Sequence, residues 1–278
     1  FNDRQAEDIL DRLNAKAIVL SNGETTLGFV ICDLIVVPDE VVDAAKAIIT
    51  ARTGLPEQNV LIAGTHTHTG PAIVGALGTP VEEGYGEWVA PRIADAFSLA
   101  LGHLQPAQFA HIAGSCPGEV HNRRWLMKDG SVRMNPGHLN PEAVRPAGPT
   151  DPQLGLMVLR TPDRKPLAVL ANLSLHYVGV SHNHNVVCAD YFAAFGRALN
   201  RLAGAEFVCP IANGTFGDVN NLDFTRPCRE ALYGTHQIER VGNVVAAEAW
   251  RVWNGLREDD FQDDIALGAT LQRVNFPA

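Results

Sequence analysis

No stretch of the 278 residues approaches the run of about twenty apolar residues that a bilayer-spanning helix needs. No run of Lys or Arg occurs, and the formal net charge is -9. A protein of that sign gains nothing from nonspecific contact with nucleic acid or an anionic membrane surface. Cysteine is sparse: Cys32, Cys116, Cys188, Cys209 and Cys228 are scattered, with no CxxC spacing. The expectation is reduced thiols, mostly buried in core strands, with a single disulfide left open. No GxSxG elbow is present, so a serine triad on an α/β-hydrolase scaffold has no support. Gly214 and Gly217 are not followed by Lys-Ser/Thr, so they form no phosphate-binding loop. No stretch is laid out as a signal peptide, but the chain opens on Phe1 and not on Met, so that absence decides little about an early segment.

What is present is a large apolar share, 46%, enough for a substantial core. Residues 5–14 read as a helix. Leu13 to Leu20 and Thr25 to Asp33 read as strands, joined by Asn22-Gly23 as a type I′ hairpin. Helices follow at Pro38 to Ala51 and Gly84 to Leu104, with strands at Val60 to Gly64 and Phe109 to Ala113. Residues 115–153 are rich in Gly, Pro, Asn and Arg with little periodicity, the mark of a functional irregular segment. A hairpin spans Leu154 to Arg160 and Leu167 to Leu175. Then come a helix at Asp190 to Leu202, a strand at Phe207 to Ile211, a helix at Gly234 to Gly255 and a closing strand at Ile265 to Val274. With no linker and no repeat, one α/β domain of mixed sheets packed with covering helices is the simplest account.

The most informative stretch is Gly64-Thr65-His66-Thr67-His68-Thr69-Gly70-Pro71, which leaves the apolar run Val60 to Ala63. Side chains two apart on extended backbone share a face, so both imidazoles can reach one site. Imidazole is the commonest protein ligand for zinc; the alternative is a pair of loop histidines without metal. Three more segments repeat this grammar of apolar strand followed by reactive loop. They are Ile31-Cys32-Asp33, Leu173 to His176, and Val208 to Ile211 followed by Asn213 to Asn220. If these strand ends lie side by side, their loops converge on one crevice. His176 is then the second metal candidate, against a core histidine bonded to a carbonyl. His182 and His184 read as solvated loop residues, and Asp190 as a helix N-cap. Asp218 sits where an Asx turn is equally natural. Asp33 either accepts from a metal-binding histidine or ends its strand. Asn122-Arg123-Arg124-Trp125 offers guanidinium groups for a carboxylate, phosphate or amide oxygen, or else a surface ion-pair cluster.

Together these residues resemble the neutral/alkaline ceramidase family in its N-terminal catalytic region. The octapeptide at 64–71 is similar to the family's THTHSGP signature. Asn122-Arg123 resembles its NR element, Leu175-His176 with Asp190-Tyr191 its second-histidine segment, and Gly217-Asp218-Val219 its GDVSPN element. The resemblance implies a layered α/β sandwich and a zinc amidase acting on N-acyl sphingosine. It implies Zn²⁺ on His66 and His176, with His68 beside the metal-bound water or the tetrahedral intermediate. It implies a further Glu and Tyr as ligands, supplied from beyond Ala278. The chain is accordingly expected to be a single catalytic domain cut from a longer protein, unless Asp33 or another carboxylate substitutes. Arg123 would bind the oxyanion or a polar group of the substrate, and Asp218 and Asn220 would position their loop. Where the family has Ser, this chain has Asn220, which cannot be a nucleophile but can donate to an oxyanion. Residues 72–83 are short and punctuated by Gly and Pro, with no long apolar surface for two lipid chains. The expected substrate is therefore a small-molecule or lipid amide, with an ester hydrolase or a non-catalytic metal-binding relative as rivals. The resemblance also implies a secreted or periplasmic location.

Overall fold

The computed structural model describes residues 5–76, 78–179, 185–228, 234–272 and 274. In chain order its elements are β1 (Asp8–Ile9), β2 (Ala15–Ser21), β3 (Thr26–Cys32), α1 (Asp39–Thr53), β4 (Val60–Gly64), α2 (Tyr85–Gly102) and β5 (Gln108–Ser115). Then come β6 (His121–Asn122), β7 (Arg124–Met127), β8 (Val132–Met134), β9 (Ala143–Pro146), β10 (Gln153–Arg160), β11 (Pro166–Leu173) and β12 (Val186–Val187). The last are α3 (Asp190–Ala203), β13 (Ile211–Asn213), β14 (Val219–Asn220) and α4 (Thr235–Trp253).

Strand periodicity dictates the layering. In the first sheet, ordered β2-β3-β4, residues Ala15, Ala17, Val19, Val30 and Cys32 pack on α1 and α2. Their neighbours Ile18 and Leu20 point the opposite way, onto Leu159, Ala168, Phe109 and Met157 of a second sheet. That sheet, ordered β13-β11-β10-β5, turns Leu154, Leu156, Val158, Val169, Ala171 and Leu173 toward α3 and α4. The result is a helix, sheet, sheet, helix sandwich, as the mixed α/β reading expected.

Each sheet is mixed in the way that builds a site. β3 runs antiparallel to β2 but parallel to β4, with Cys32 opposite Gly64. β11 runs antiparallel to β10 but parallel to β13, with Leu173 opposite Asn213. Parallel neighbours end at the same edge of a sheet. The four loops after Cys32, Gly64, Leu173 and Asn213 therefore leave as two adjacent pairs.

Helix boundaries follow local chemistry. Pro38 precedes α1, and Gly54 ends it at φ 73, where a Cβ would be strained. Several sequence expectations change. Residues 5–14 are extended, not helical: Asp8 and Ile9 pair with Val186 and Val187, and the Asp11 carboxylate accepts from Arg197, Cys188 and Ala189. Tertiary partners override a local helical pattern there. The β2–β3 connection is a four-residue loop closed by the Ser21–Thr26 pair. Gly23 takes positive φ, while Asn22 instead uses its side chain to accept from the Glu24 and Thr25 N–H groups. Residues 207–210 run beside β11, but Pro210 has no N–H for a ladder, so β13 starts at Ile211. No strand forms over 265–272. The irregular segment contains a three-stranded antiparallel sheet, ordered β8-β7-β9, on a small core of Trp125, Met127, Leu222 and Phe224. Cys32, Cys116, Cys188 and Cys209 are buried thiols outside any disulfide. No helix among the described residues is long and apolar enough to cross a membrane.

The closest interhelix approach tested by a glycine is Gly242 of α4 on α3. A methyl at that position would lie 2.5 Å from Ala194 Cβ and 2.8 Å from the Phe195 backbone nitrogen. Gly242→Ala is expected to overpack this crossing and destabilise the protein by about 1–3 kcal/mol, read as a lower urea midpoint.

Candidate metal centre

The loop after β4 carries the first two histidines. Thr65 N–H donates to Cys32 O and His66 N–H to Leu34 O, both at 2.8 Å, so the pairing with the β3 side continues past the strand. His66 then takes φ 71, a left-handed conformation that a non-glycine residue holds only under constraint. The alternating threonines face the other way: Thr67 and Thr69 hydroxyls donate to Cys188 O at 2.7 and 2.8 Å. Asn213 Nδ2 donates to Thr65 O at 2.7 Å, tying the loop to the end of β13.

The imidazoles of His66, His68 and His176 meet at this edge. Each offers a ring nitrogen, and these lie within 4.8 Å of one another. His66 Nδ1–H donates to Ile35 O at 2.6 Å, which leaves Nε2 with a lone pair. His176 Nδ1 faces Phe216 O at 3.4 Å, which favours the same tautomer. The two Nε2 atoms are 3.1 Å apart. Two facing lone pairs repel unless a proton or cation lies between them. Two zinc–nitrogen bonds of about 2.0–2.1 Å at a tetrahedral angle put their nitrogens about 3.3 Å apart, so the donors fit that ion. The His68 ring stacks on Tyr177 with centroids 3.8 Å apart.

Burial keeps these rings neutral. It pushes His66 below the usual histidine range, His68 down to about 3 and His176 down to about 4, and the Arg123 guanidinium adds to each shift. Neutral imidazole is the ligating form. Arg123 is held by its backbone N–H on Asp218 O at 2.8 Å and by Nη2 on Gly217 O at 2.5 Å. Its buried Nε has no hydrogen-bond partner among the described residues. Asn122 braces the turn: its Nδ2 donates to Asp218 Oδ2 at 2.9 Å, and its Oδ1 accepts from Arg124 N–H at 2.9 Å. Arg124 points outward, so the two arginines do not act as a pair.

The predicted residues thus separate. His66, His68, His176 and Arg123 come together. Asp218 stands behind Arg123. Asn220 is further back, its Nδ2 on Asn135 Oδ1 and its Oδ1 taking the Leu222 N–H. Asp33 is neither a ligand nor a histidine partner: its carboxylate takes the Asn14 N–H and faces Lys16, and the Ile35 carbonyl fills the role expected of it. His182 and His184 lie outside the described residues. Asp190 is the first residue of α3, and its carboxylate accepts from Val178, Gly179 and Tyr191 N–H groups in place of a simple cap. Sequence reasoning missed Thr67 and Thr69, which the strict Thr-His alternation signals, and the Ile35 and Phe216 carbonyls, which no side-chain pattern reveals. A cavity of about 240 Å³ lies on the Asn122, Trp125 and Phe224 side and is not lined by the three histidines.

No family model matches the chain. Solved structures share its fold, among them the following two. One is a ceramidase complexed with C2, at TM-score 0.68 and 18% identity, over 84% of this chain and 37% of that one. The other is neutral ceramidase from Pseudomonas aeruginosa, at TM-score 0.65 and 17% identity, over 82% of this chain and 37% of that one. At these identities the likeness is one of fold. The protein has the architecture of neutral ceramidase structures, of which it spans a little over a third.

The depressed histidines set a pH dependence. An unfolded histidine titrates near 6.5, whereas His176 and His68 in the fold titrate near 4 and 3. Between those values the unfolded chain binds protons that the metal-free fold refuses, so stability falls as pH falls. Above about pH 6.5 these groups contribute no slope. Urea midpoints across this window should show the decline, and His68→Gln should flatten it; parallel curves for the two proteins would contradict the assignment.

Proposed function

We propose that this chain is the catalytic domain of a zinc-dependent hydrolase that cleaves a linear N-acyl amide, a ceramide-like bond on a small or lipid substrate. The observation that carries the reading is the 3.1 Å separation of His66 Nε2 and His176 Nε2, two lone pairs converging on one point. The fold shared with ceramidase structures supports it. His66 and His176 would hold Zn²⁺, with His68 beside the ion and not on it. Bound there, the ion supplies Lewis acidity and makes water nucleophilic near neutral pH.

The chain's own groups supply the rest. Arg123 Nε–H donates to the substrate carbonyl oxygen, where negative charge develops as the carbon becomes tetrahedral. His68 is neutral at rest, so its ring nitrogen can accept the proton released by the attacking water and return it to the departing amine. Asn122 and Asp218 hold Arg123 in place. Asn220, whose amide is bonded to Asn135, anchors the neighbouring turn. A serine acyl-enzyme route is unavailable at position 220, because an amide side chain is no nucleophile.

Elemental analysis of the full-length protein should find stoichiometric zinc, lost in the His66→Ala/His176→Ala double variant along with turnover of an N-acyl amide panel. Arg123→Ala should lower kcat by about 10²–10³-fold with zinc content unchanged. Wild-type protein without zinc would defeat the proposal. Zinc with ester turnover alone would make it an esterase, and zinc with no turnover a binding relative.

A further inference from the structure

We propose that the segment Cys188–Asp190 is a clasp that sets the spacing of the two metal-facing imidazoles, with Asp190 as its positioning residue. His66 and His176 lie 110 residues apart in sequence, yet one short segment holds both of their loops. On one side, Cys188 O accepts the Thr67 and Thr69 hydroxyls, and Cys188 N–H donates to Thr69 O at 3.0 Å. Thr67 is the residue between His66 and His68. On the other side, the Asp190 carboxylate accepts Val178 N–H at 3.0 Å and Gly179 N–H at 2.8 Å. These are the two residues that directly follow His176 and Tyr177.

Asp190 is not behaving as a helix cap. A capping oxygen takes N–H groups two or three residues into its own helix. Asp190 takes only the adjacent Tyr191 N–H, at 2.6 Å, and spends its other contacts on the histidine loop. It is 1% exposed and sits at φ 56, a conformation a non-glycine side chain keeps where its surroundings over-determine it. The clasp is itself tethered: Asp11 accepts from Cys188 Sγ, Ala189 N–H and Arg197. Because Tyr177 adjoins Val178, the same carboxylate also seats the ring on which His68 stacks. Groups that orient metal ligands from behind typically change metal affinity about 10–100-fold when removed.

Asp190→Gly separates positioning from general stability, since glycine takes positive φ freely and removes only the carboxylate. The zinc part of the inference rests on the proposed metal site; a second readout does not. In the full-length protein, chelator competition should show zinc affinity falling about 10–100-fold in Asp190→Gly and by less in Asp190→Asn. Gly242→Ala should lower the unfolding midpoint with zinc affinity unchanged. In metal-free protein, the ring-current shift that Tyr177 imposes on His68 protons should collapse in Asp190→Gly and persist in Gly242→Ala. Unchanged affinity and unchanged ring shifts in folded Asp190→Gly would overturn the clasp. If wild type binds no zinc, the proposed function fails and the ring shifts still decide the clasp. Should Asp190→Gly not fold, Thr67→Val/Thr69→Val tests the same segment from its other side, with the same outcomes.

Discussion

Two imidazole nitrogens face each other across 3.1 Å with their lone pairs turned inward. That arrangement is unfavourable in an empty pocket, and the rest of the fold can be understood as what enforces it. The Ile35 and Phe216 carbonyls hold the protonated nitrogens away from the meeting point. Burial suppresses protonation, the cheapest way for the rings to relieve their repulsion. Parallel pairing of β3 with β4 and of β11 with β13 delivers the loops to one edge.

The electrostatics are one-sided. Arg123 adds a cation to three neutral rings, and no carboxylate among the described residues joins the histidine set. Its own charge is disfavoured by burial and supported by Asp218. Such a site holds unbalanced positive potential from Arg123 alone. It is suited to an oxygen that gains negative charge, and poorly suited to a cationic substrate. A ligand set completed by anionic groups would bring the total back toward neutrality.

Much of this was legible in the sequence, and the reasons are specific. Apolar runs ending in His, Asp or Asn marked β3, β4 and β11 and the convergence of their loops. Strand length and position at Val60–Gly64 followed from an uninterrupted apolar stretch. The N-terminal residues 5–14 were misread because their spacing suits a helix, while their partners, Val186, Val187 and Arg197, lie far along the chain. The small sheet within 115–153 was invisible because its strands are only three or four residues long. Of the two readings open for Asp33, histidine acceptor or strand end, the first falls to the backbone carbonyl of Ile35, two residues later. Composition carries no trace of which carbonyl will point where.

The two sheets meet along a thin seam, where Ile18, Leu159 and Ala168 are the buried apolar residues. The helix-backed cores on either flank are far larger. His66 belongs to one flank and His176 to the other. The spacing of the two rings therefore depends on how the two helix-backed halves are seated against each other across that seam.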